Sequence, residues 1–451
     1  MSLQSIGAHL QTLWKSVALA TAGLSFTVGA VAFADEAKTQ YFPLPVFRVG
    51  PYASSGIPVW GGFIDYFRYV NEVEGGINGI KLVWEECETE WAVDKGIECY
   101  ERMKGGKDGS PVPIFLPHGD PISFALTDKS AADKIPLIMI AYGRTEAIDG
   151  RVFPFSFPTV FSYWSEASSV VNFIAEKVGG KDKLKGLKIA TVYHDSPYGK
   201  ETQAPLAFLA KTYGFEDIQI PVPHPGNDQS AQWAKVRQIK PDWVFLVGWG
   251  VMTPVAIKTA AKVGYPVDHI IGGTWCASED DVRPAGPVAK GYMAISPFAA
   301  GADFEILQKL KTTFLDKGRS DLKDPKQFGS VNYNAGVDEA IIAVEAIRTA
   351  QAHFGVHPIN GEEGQWGLEH LDLSDKRLAE IGATGLEQPL KLSIKDHEGG
   401  GAGKIMQWDG EKWNIVSGWV KSDRELLLPL IYERAAAYAK EHGIVLRDAS
   451  N

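Results

Sequence analysis

The amino-acid sequence predicts an α/β protein built as two similar lobes, each with a parallel sheet covered by helices. From residue 45 to about 140, short apolar runs alternate with segments of helical periodicity, and the same alternation restarts at residue 187. Such alternation is typical of parallel sheets with helices on both faces. The chain has 451 residues, which is long for one ordinary core and also favours two lobes.

The first block contains four strand-like runs, at 46–49, 80–84, 112–116 and 137–140. Between the first two, apolar residues recur at helical spacing from Phe63 to Val73, which predicts a helix beginning at Gly61. The segment 75–79 reads Gly-Gly-Ile-Asn-Gly, and its glycines permit the left-handed backbone that ends a helix. This segment is therefore predicted to be the turn between the first helix and the second strand.

The second block predicts strands at 187–193, 218–222, 242–247 and 270–271, with helices at 199–213, 231–239 and 253–263 between them. In parallel α/β lobes the ligand lies beyond the carboxyl ends of the strands. Two lobes that face each other would therefore enclose one cleft and work as a hinged clamp.

The last third of the chain predicts a helix over 337–350, strand-like runs at 389–394, 404–408 and 413–416, and a final helix over about 424–442. The glycine-rich run 399–404 is not a phosphate-binding loop. Glu398 stands where such a loop has its first glycine, and Ile405 replaces the required Ser or Thr. A hairpin loop is the better interpretation.

The N-terminus has the pattern of an export signal. Lys15 precedes a weakly apolar run, and Ala32-Phe33-Ala34 provides a small-x-small cleavage site. The alternative is an uncleaved membrane anchor, but the run is rich in Ala, Gly, Ser and Thr rather than Leu or Ile. Cleavage after Ala34 and a periplasmic mature protein are expected.

Composition excludes several functional classes. The formal net charge is −10, which argues against nucleic-acid binding. No Cys or His spacing resembles a zinc site, and no nucleophile elbow or His-Glu-x-x-His motif is present. No cofactor, metal or catalysis is expected. The 13 Trp and 15 Tyr residues instead suggest binding surfaces that stack on a ligand.

The order of the first strands and helix resembles that of a known protein family. A short strand ends in Gly50-Pro51, a helix follows with Gly61-Gly62-Phe63, and the turn 75–79 leads into the strand 80–84. This order resembles the type I periplasmic solute-binding proteins of ABC transporters, branched-chain amino acid/amide type, over nearly the whole mature chain. The resemblance implies two Rossmann-like lobes joined by a multi-strand hinge that closes on a small ligand.

The resemblance also implies a division of the chain and a partner. Residues 1–34 form the signal peptide, 39–156 and 293–380 form lobe 1, 157–292 form lobe 2, and 381–451 supply the C-terminal strands and terminal helix of lobe 2. The closed form would dock on permease subunits in the inner membrane, and a monomer is expected.

The cysteines are Cys87, Cys99 and Cys276. Cys87 follows a strand and Cys99 lies in the next helix, so a disulfide between them is plausible in an oxidising compartment. Better-known family members pair this region with the loop after the next strand, but here that loop, 117–120, has no cysteine. Cys276 would then be unpaired and buried.

Candidate ligand-binding residues of the first lobe follow predicted strand ends: Ser54, Ser55, Trp60, His118, Gly119, Tyr142, Gly143, Arg144 and Thr145. In the family, the loops corresponding to 118–120 and 142–145 hold the ligand carboxylate through backbone N–H groups and hydroxyls. Thr145 matches the hydroxyl position and Gly143 a backbone contact. Arg144 departs from the family, and it is either a bidentate carboxylate partner or a solvated surface residue.

Candidates of the second lobe are Tyr163, Tyr198, Trp249 and Trp275. Tyr198 resembles the family tyrosine that reaches the ligand, and Trp249 is either a ligand wall or a core residue. Amino-acid-binding members carry a glutamate near the position of Trp275. Because burying an unpaired ammonium costs several kcal/mol, an α-amino acid is disfavoured.

The function expected from these observations is that of the substrate-binding component of an ABC importer, with a small hydrophobic or aromatic carboxylate as its ligand. An amino acid, urea or a short amide is the alternative ligand. A sensory ligand-binding subunit is an alternative from another class, and an enzyme is a third. Turnover of a bound ligand would identify an enzyme.

Overall fold

A sheet of seven strands, most of them parallel, dominates the second half of the protein. The structure is a computed structural model that describes residues 39–50 and 52–449. The predicted export signal, residues 1–34, lies outside the described residues. No helix in the described part of the chain has the length and apolarity that a membrane span requires.

The strands are β1 (Thr39–Val46), β2 (Lys81–Glu88), β3 (Leu137–Ile140), β4 (Ser156–Thr159), β5 (Lys188–His194), β6 (Glu216–Val222), β7 (Trp243–Val247), β8 (Ile270–Gly272), β9 (Met293–Ser296), β10 (Asp372–Leu373), β11 (Leu390–Lys391), β12 (Ala402–Trp408) and β13 (Trp413–Lys421).

The helices are α1 (Ala53–Glu72), α2 (Val93–Met103), α3 (Asp120–Asp133), α4 (Tyr163–Val178), α5 (Pro197–Lys200), α6 (Gln203–Tyr213), α7 (Ser230–Ile239), α8 (Met252–Lys262), α9 (Glu279–Val282), α10 (Glu305–Thr313), α11 (Val331–Phe354), α12 (Gly361–Glu369), α13 (Asp375–Ile381) and α14 (Arg424–His442).

The seven-stranded sheet has the order β13-β12-β9-β8-β7-β5-β6. The five strands β9, β8, β7, β5 and β6 run parallel to one another, whereas β12 is antiparallel to both β9 and β13. The core strand β7 is buried along its whole length, as expected for a parallel strand covered on both faces. Strand β9 (Met293–Ser296) is thus part of this sheet, between β8 and β12.

The first block forms parallel pairs rather than one continuous ladder. β1 pairs with β2, and β3 pairs with β4. The predicted strand at 112–116 is wrong, because this segment makes only the single bridge Phe115 to Leu137. Pro113 lies inside it, and a proline has no N–H to donate to a ladder. The first strand is also earlier than the predicted 46–49, and it includes Pro43 and Pro45.

Helix α1 begins at Ala53, eight residues before the predicted start, and contains Pro58. It packs against α11 at very close range. Gly62 faces the carbonyl oxygen of Tyr333, and Gly336 faces that of Val59, with no room for a Cβ atom at either glycine. This close approach brings one face of each helix to the same side of the protein, and that side lines the candidate site.

The C-terminal helix α14 has the predicted bounds. Its buried Ala435 and Ala439 pack with Val152 and Phe153, and its Leu427 and Ile431 pack with Ile148 and Trp164. The helix therefore contacts the segment 147–153 as well as α4.

Candidate ligand-binding site

The carboxyl ends of four adjacent parallel strands meet at one edge of the seven-stranded sheet. β5 ends at His194, β6 at Val222, β7 at Val247 and β8 at Gly272. The residues that follow these ends include Tyr198, His224, Trp249 and Trp275, and all four line one cavity. This is the position at which an open parallel sheet binds its ligand.

The opposite wall comes from the first block and from α11. Phe47 follows β1, Trp91 follows β2, and Tyr142 follows β3, while the loop 118–121 lies beside them. Ser55 and Val59 are four residues apart on α1, and Asn332 and Glu339 are seven apart on α11, so each pair presents one helix face. The cavity between the two walls measures about 250 Å³.

Aromatic rings close the cavity. The rings of Trp249 and Tyr52 are stacked with centroids 4.0 Å apart, and Trp91 meets Trp249 edge-on at 4.7 Å. Trp275 lies 6.5 Å from Trp249 and 6.3 Å from Tyr142, measured between ring centroids. These contacts connect residues after β1 and β2 with residues after β7 and β8, so the cleft between the two walls is closed.

Asp120 begins α3, and its carboxylate is buried at the cavity. One oxygen accepts a hydrogen bond from the Gly143 N–H at 2.8 Å, and the other accepts from the Tyr163 hydroxyl at 2.8 Å. Burial raises the pKa of Asp120 to about 6, and the two donors oppose that shift. Asp120 therefore positions the 142–145 loop and the start of α4.

A second buried acid, Glu339, lies beside His118. The Nε2 atom of His118 is 2.9 Å from Oε2 of Glu339. The backbone N–H of His118 donates to the hydroxyl oxygen of Tyr142 at 2.8 Å. The imidazole also contacts the Trp60 ring at a centroid distance of 4.5 Å, so packing restricts its orientation.

Three polar residues form a chain at the sheet wall. The Nδ1 atom of His194 is 2.8 Å from the Ser196 hydroxyl, and its Nε2 atom is 2.8 Å from Nδ1 of His224. Burial, with a smaller contribution from the neighbouring His224, lowers the pKa of His194 to about 4. His194 is therefore neutral at pH 7 and shares its ring hydrogen with its neighbours.

The structure brings seven of the predicted site residues to the cavity: Ser55, His118, Gly119, Tyr142, Tyr198, Trp249 and Trp275. Tyr198 is fixed there, because its hydroxyl donates to the Gly248 carbonyl at 3.1 Å. Three further candidates do not line the cavity but contact residues that do. Trp60 packs on the His118 ring, and the Gly143 N–H and the Tyr163 hydroxyl donate to Asp120. Ser54 is exposed on α1 and does not line the cavity, since the helix turns it away from Ser55.

Arg144 and Thr145 do not line the cavity. The guanidinium carbon of Arg144 lies 4.9 Å from the ring centroid of Phe124, 5.0 Å from that of Tyr438 and 6.0 Å from that of Phe153. It is thus held among aromatic faces, which attract a cation. In this structure the guanidinium lies against these rings and not at the cavity. Thr145 is buried at the start of the short helical turn Thr145–Ile148.

Several lining residues were not among the candidates: Phe47, Val59, Trp91, Asp120, His194, Ser196, His224, Asn332 and Glu339. Trp91 and His224 follow strands and His194 is the last residue of one, so the strand-end rule could have found them. Asn332 and Glu339 belong to a helix far along the chain. No local pattern marks them, because only the packing of α11 on α1 brings them to the site.

The cysteines lie away from the cavity. Cys87 and Cys99 form a disulfide with Cα atoms 5.8 Å apart. Among the described residues, these cysteines and Glu98 are the one group with metal-ligand proximity, and the disulfide occupies both sulfurs. Cys276 is free and buried, and burial raises the pKa of its thiol to about 12.

Comparison with known proteins identifies the family. A profile described as "Periplasmic binding protein" matches residues 39–412. A solved structure described as an ABC transporter permease from the Pseudomonas fluorescens group is 61% identical with a TM-score of 0.89, covering 92% of this chain and 100% of that chain. A search of curated proteins finds no match.

More distant structures share the fold. A branched-chain amino acid ABC transporter protein from Thermus thermophilus with bound valine is 21% identical, with a TM-score of 0.70 over 86% of this chain and 98% of that chain. A solute-binding protein of an ABC transporter from R. palustris in complex with benzoate is 18% identical, with a TM-score of 0.65 over 85% and 97%. The architecture is thus the type I periplasmic binding fold, and this chain belongs to the periplasmic binding protein family.

Proposed function

We propose that this protein is the substrate-binding component of an ABC importer and that its ligand is a small aromatic carboxylate. The observation that carries the proposal is the closed, aromatic-walled cavity between the carboxyl ends of two groups of parallel strands. The 61% identical structure bears an ABC transporter description, and a structural neighbour holds benzoate. Both relationships support the proposal.

The size of the cavity favours a small ligand. At about 250 Å³ it lies near the low end of ligand pockets, which are roughly 300–1,000 Å³. Trp91, Trp249, Trp275 and Tyr142 supply ring faces and edges around it. A flat ring would stack on these walls and lose little conformational entropy on binding.

The carboxylate of the ligand belongs at the chain formed by His194, Ser196 and His224. No Lys or Arg of the described residues lines the cavity, so the carboxylate needs donors of another type. Imidazole N–H groups and the serine hydroxyl are such donors, and a neutral imidazole can donate one hydrogen bond to a carboxylate.

An amino acid, urea or a short amide is the second candidate. Asp120 and Glu339 line the cavity and could neutralise an ammonium group. The argument against an amino acid from Trp275 considered only the strand end after β8, and these two acids come from other elements. Valine in a structural neighbour also keeps this candidate open.

The two walls of the cavity would open and close to bind and release the ligand. The elements that carry Phe47, Trp91 and Glu339 would move as one lobe against the seven-stranded sheet, open to admit the ligand and close through the aromatic contacts. The protein would be exported through its N-terminal signal and act as a monomer on a membrane permease. It would release its ligand unchanged.

A thermal-shift and calorimetric screen tests the proposal. Benzoate, benzamide, leucine and urea would be added to the protein without residues 1–34. A ligand that binds the folded state raises the melting temperature, and benzoate is expected to give a larger shift than benzamide. Trp249→Ala should abolish the shift, because it removes a stacking wall. Stabilisation by leucine or urea alone would refute the aromatic carboxylate.

A further inference from the structure

Glu339 is a buried acid that lacks a hydrogen-bond donor. Its side chain is 2% exposed, and its Oε2 atom makes no hydrogen bond of ordinary geometry within the described part of the chain. His118 Nε2 is 2.9 Å away, but it is not aligned for a hydrogen bond and also has no partner among the described residues. Contacts with Trp60 and Phe47 hold the imidazole in this orientation.

The other acid of the cavity provides the contrast. Asp120 has a donor on each carboxylate oxygen, Gly143 N–H and Tyr163 O–H. Buried polar groups in folded proteins are nearly always paired, and a buried one without a partner destabilises the fold. Glu339 lines a ligand cavity, so the ligand is the natural source of its missing donor.

Tyr142 limits which chemical group of the ligand can be the donor to Glu339. Its hydroxyl oxygen accepts the His118 backbone N–H at 2.8 Å, and its own O–H donates no hydrogen bond within the described part of the chain. Burial raises the pKa of Tyr142 well above its ordinary value, and the negative charge of the nearby Glu339 carboxylate raises it further. The site thus offers one acceptor at Glu339 and one donor at Tyr142. A hydroxyl group can satisfy both, whereas an ammonium has no acceptor and a carboxylate has no donor.

We propose that Glu339 and Tyr142 bind a hydroxyl group on the ligand, so that the natural ligands are hydroxylated aromatic acids rather than unsubstituted ones. This inference rests on the proposed function, and it adds a second polar anchor to the carboxylate contact at His194, Ser196 and His224. An aromatic acid without the hydroxyl leaves Glu339 unpaired, and a site built for a hydroxyl rejects the analogue that lacks it.

A ligand series on the unmodified protein tests the inference first. Isothermal titration with benzoate, 3-hydroxybenzoate, 4-hydroxybenzoate, the two matching methoxybenzoates and benzylamine measures the preference directly. At least one hydroxybenzoate should bind about 10-fold or more tighter than benzoate, which is the worth of a hydrogen bond to a charged acceptor. Its methoxy analogue should lose that advantage, since the methoxy oxygen accepts but does not donate.

Variants then locate the effect. Glu339→Met should weaken the binding of the preferred hydroxybenzoate and leave the affinity for benzoate equal or higher. The ratio of the two affinities should therefore fall to about 2-fold or less. Glu339→Gln and Tyr142→Phe should give intermediate ratios. Tyr198→Phe is the matched control, because that hydroxyl donates to Gly248 rather than to the ligand, and both acids should change by the same factor. Thermal unfolding checks that each variant is folded.

The outcomes separate the two proposals. Benzoate binding as tightly as every hydroxybenzoate would overturn the hydroxyl anchor and leave the aromatic-acid function standing. An equal effect of Glu339→Met on both acids would also overturn it, as would preferred binding of benzylamine. Failure of every aromatic acid to bind the folded protein would overturn the proposed function itself.

Discussion

The indole of Trp249 lies flat on the phenol ring of Tyr52, with centroids 4.0 Å apart and planes inclined by 10°. Tyr52 precedes α1 and does not line the cavity, whereas Trp249 follows β7 and does. The stack therefore joins the two walls of the cleft from outside the ligand-contacting surface. Tyr52 therefore stabilises the closed arrangement without itself lining the cavity.

Removal of the Tyr52 ring tests this role. Tyr52→Ala should accelerate ligand release and weaken binding about 3- to 10-fold, because an aromatic pair contributes about 0.5–1.5 kcal/mol beyond its area. Stopped-flow quenching of tryptophan fluorescence measures the release rate. Tyr52→Phe keeps the stack and serves as control. A Tyr52→Ala protein with an unchanged release rate would show that the stack does not hold the cleft closed.

Arg144 is expected to act on stability rather than on the ligand. Arg144→Ala should leave the affinity for an aromatic carboxylate within about 2-fold, because its guanidinium lies against Phe124 and Tyr438. It should lower the free energy of unfolding by about 1 kcal/mol through the lost cation–π contacts. Calorimetric titration and urea unfolding measure the two effects. If the variant lost affinity for benzoate but still bound benzamide, the result would assign Arg144 to binding of the ligand carboxylate.

Glu166 makes the stability of the fold depend on pH. It is buried, and burial raises its pKa to about 7, although Thr274 donates to Oε2 through its N–H at 2.7 Å and its hydroxyl at 2.6 Å. A carboxyl with a raised folded-state pKa contributes its full stability below its ordinary pKa near 4.5, and that contribution is lost as pH rises through about 7. Alkaline pH should therefore weaken the fold at this position.

Glu166→Gln isolates that effect. The amide keeps an acceptor for Thr274 and cannot ionise, so the variant should gain about 1–3 kcal/mol of unfolding free energy at pH 8 and less than about 1 kcal/mol at pH 5. Urea unfolding at the two pH values measures the gain. Glu362→Gln, at an exposed position, controls for the change in net charge. An equal gain at both pH values would contradict the assignment.

The Cys87–Cys99 disulfide closes a loop with a sequence separation of 12. In the chain-entropy treatment, a loop of this length contributes about 3 kcal/mol. The Cys87→Ser/Cys99→Ser double variant should therefore unfold at a lower urea concentration while binding the ligand normally, since neither residue lines the cavity. A reductant should destabilise the unmodified protein and leave the double variant unchanged. Equal stability of the two proteins would show that the loop is held by its other contacts.

Much of the fold could be predicted from local patterns. The strand and helix positions from β5 to β8 were predicted to within a few residues, because buried parallel strands are continuous apolar runs. The errors fall where prolines interrupt such runs, at β1 and at 112–116, and at the start of α1, where Pro58 concealed a helix held by its packing on α11.

The sequence by itself determined the class of protein and the strand-end loops that surround the cleft, because chain direction decides at which edge of a parallel sheet a loop emerges. Only the tertiary structure decided which side chains in those loops face the ligand. A helix or loop can turn one residue inward and its neighbour outward, as it does with Ser55 and Ser54. Arg144 found its partners among distant aromatic rings, and Glu339 reached the cavity through the contact of two helices far apart in the chain. Such contacts depend on packing across hundreds of residues, and no local pattern records them.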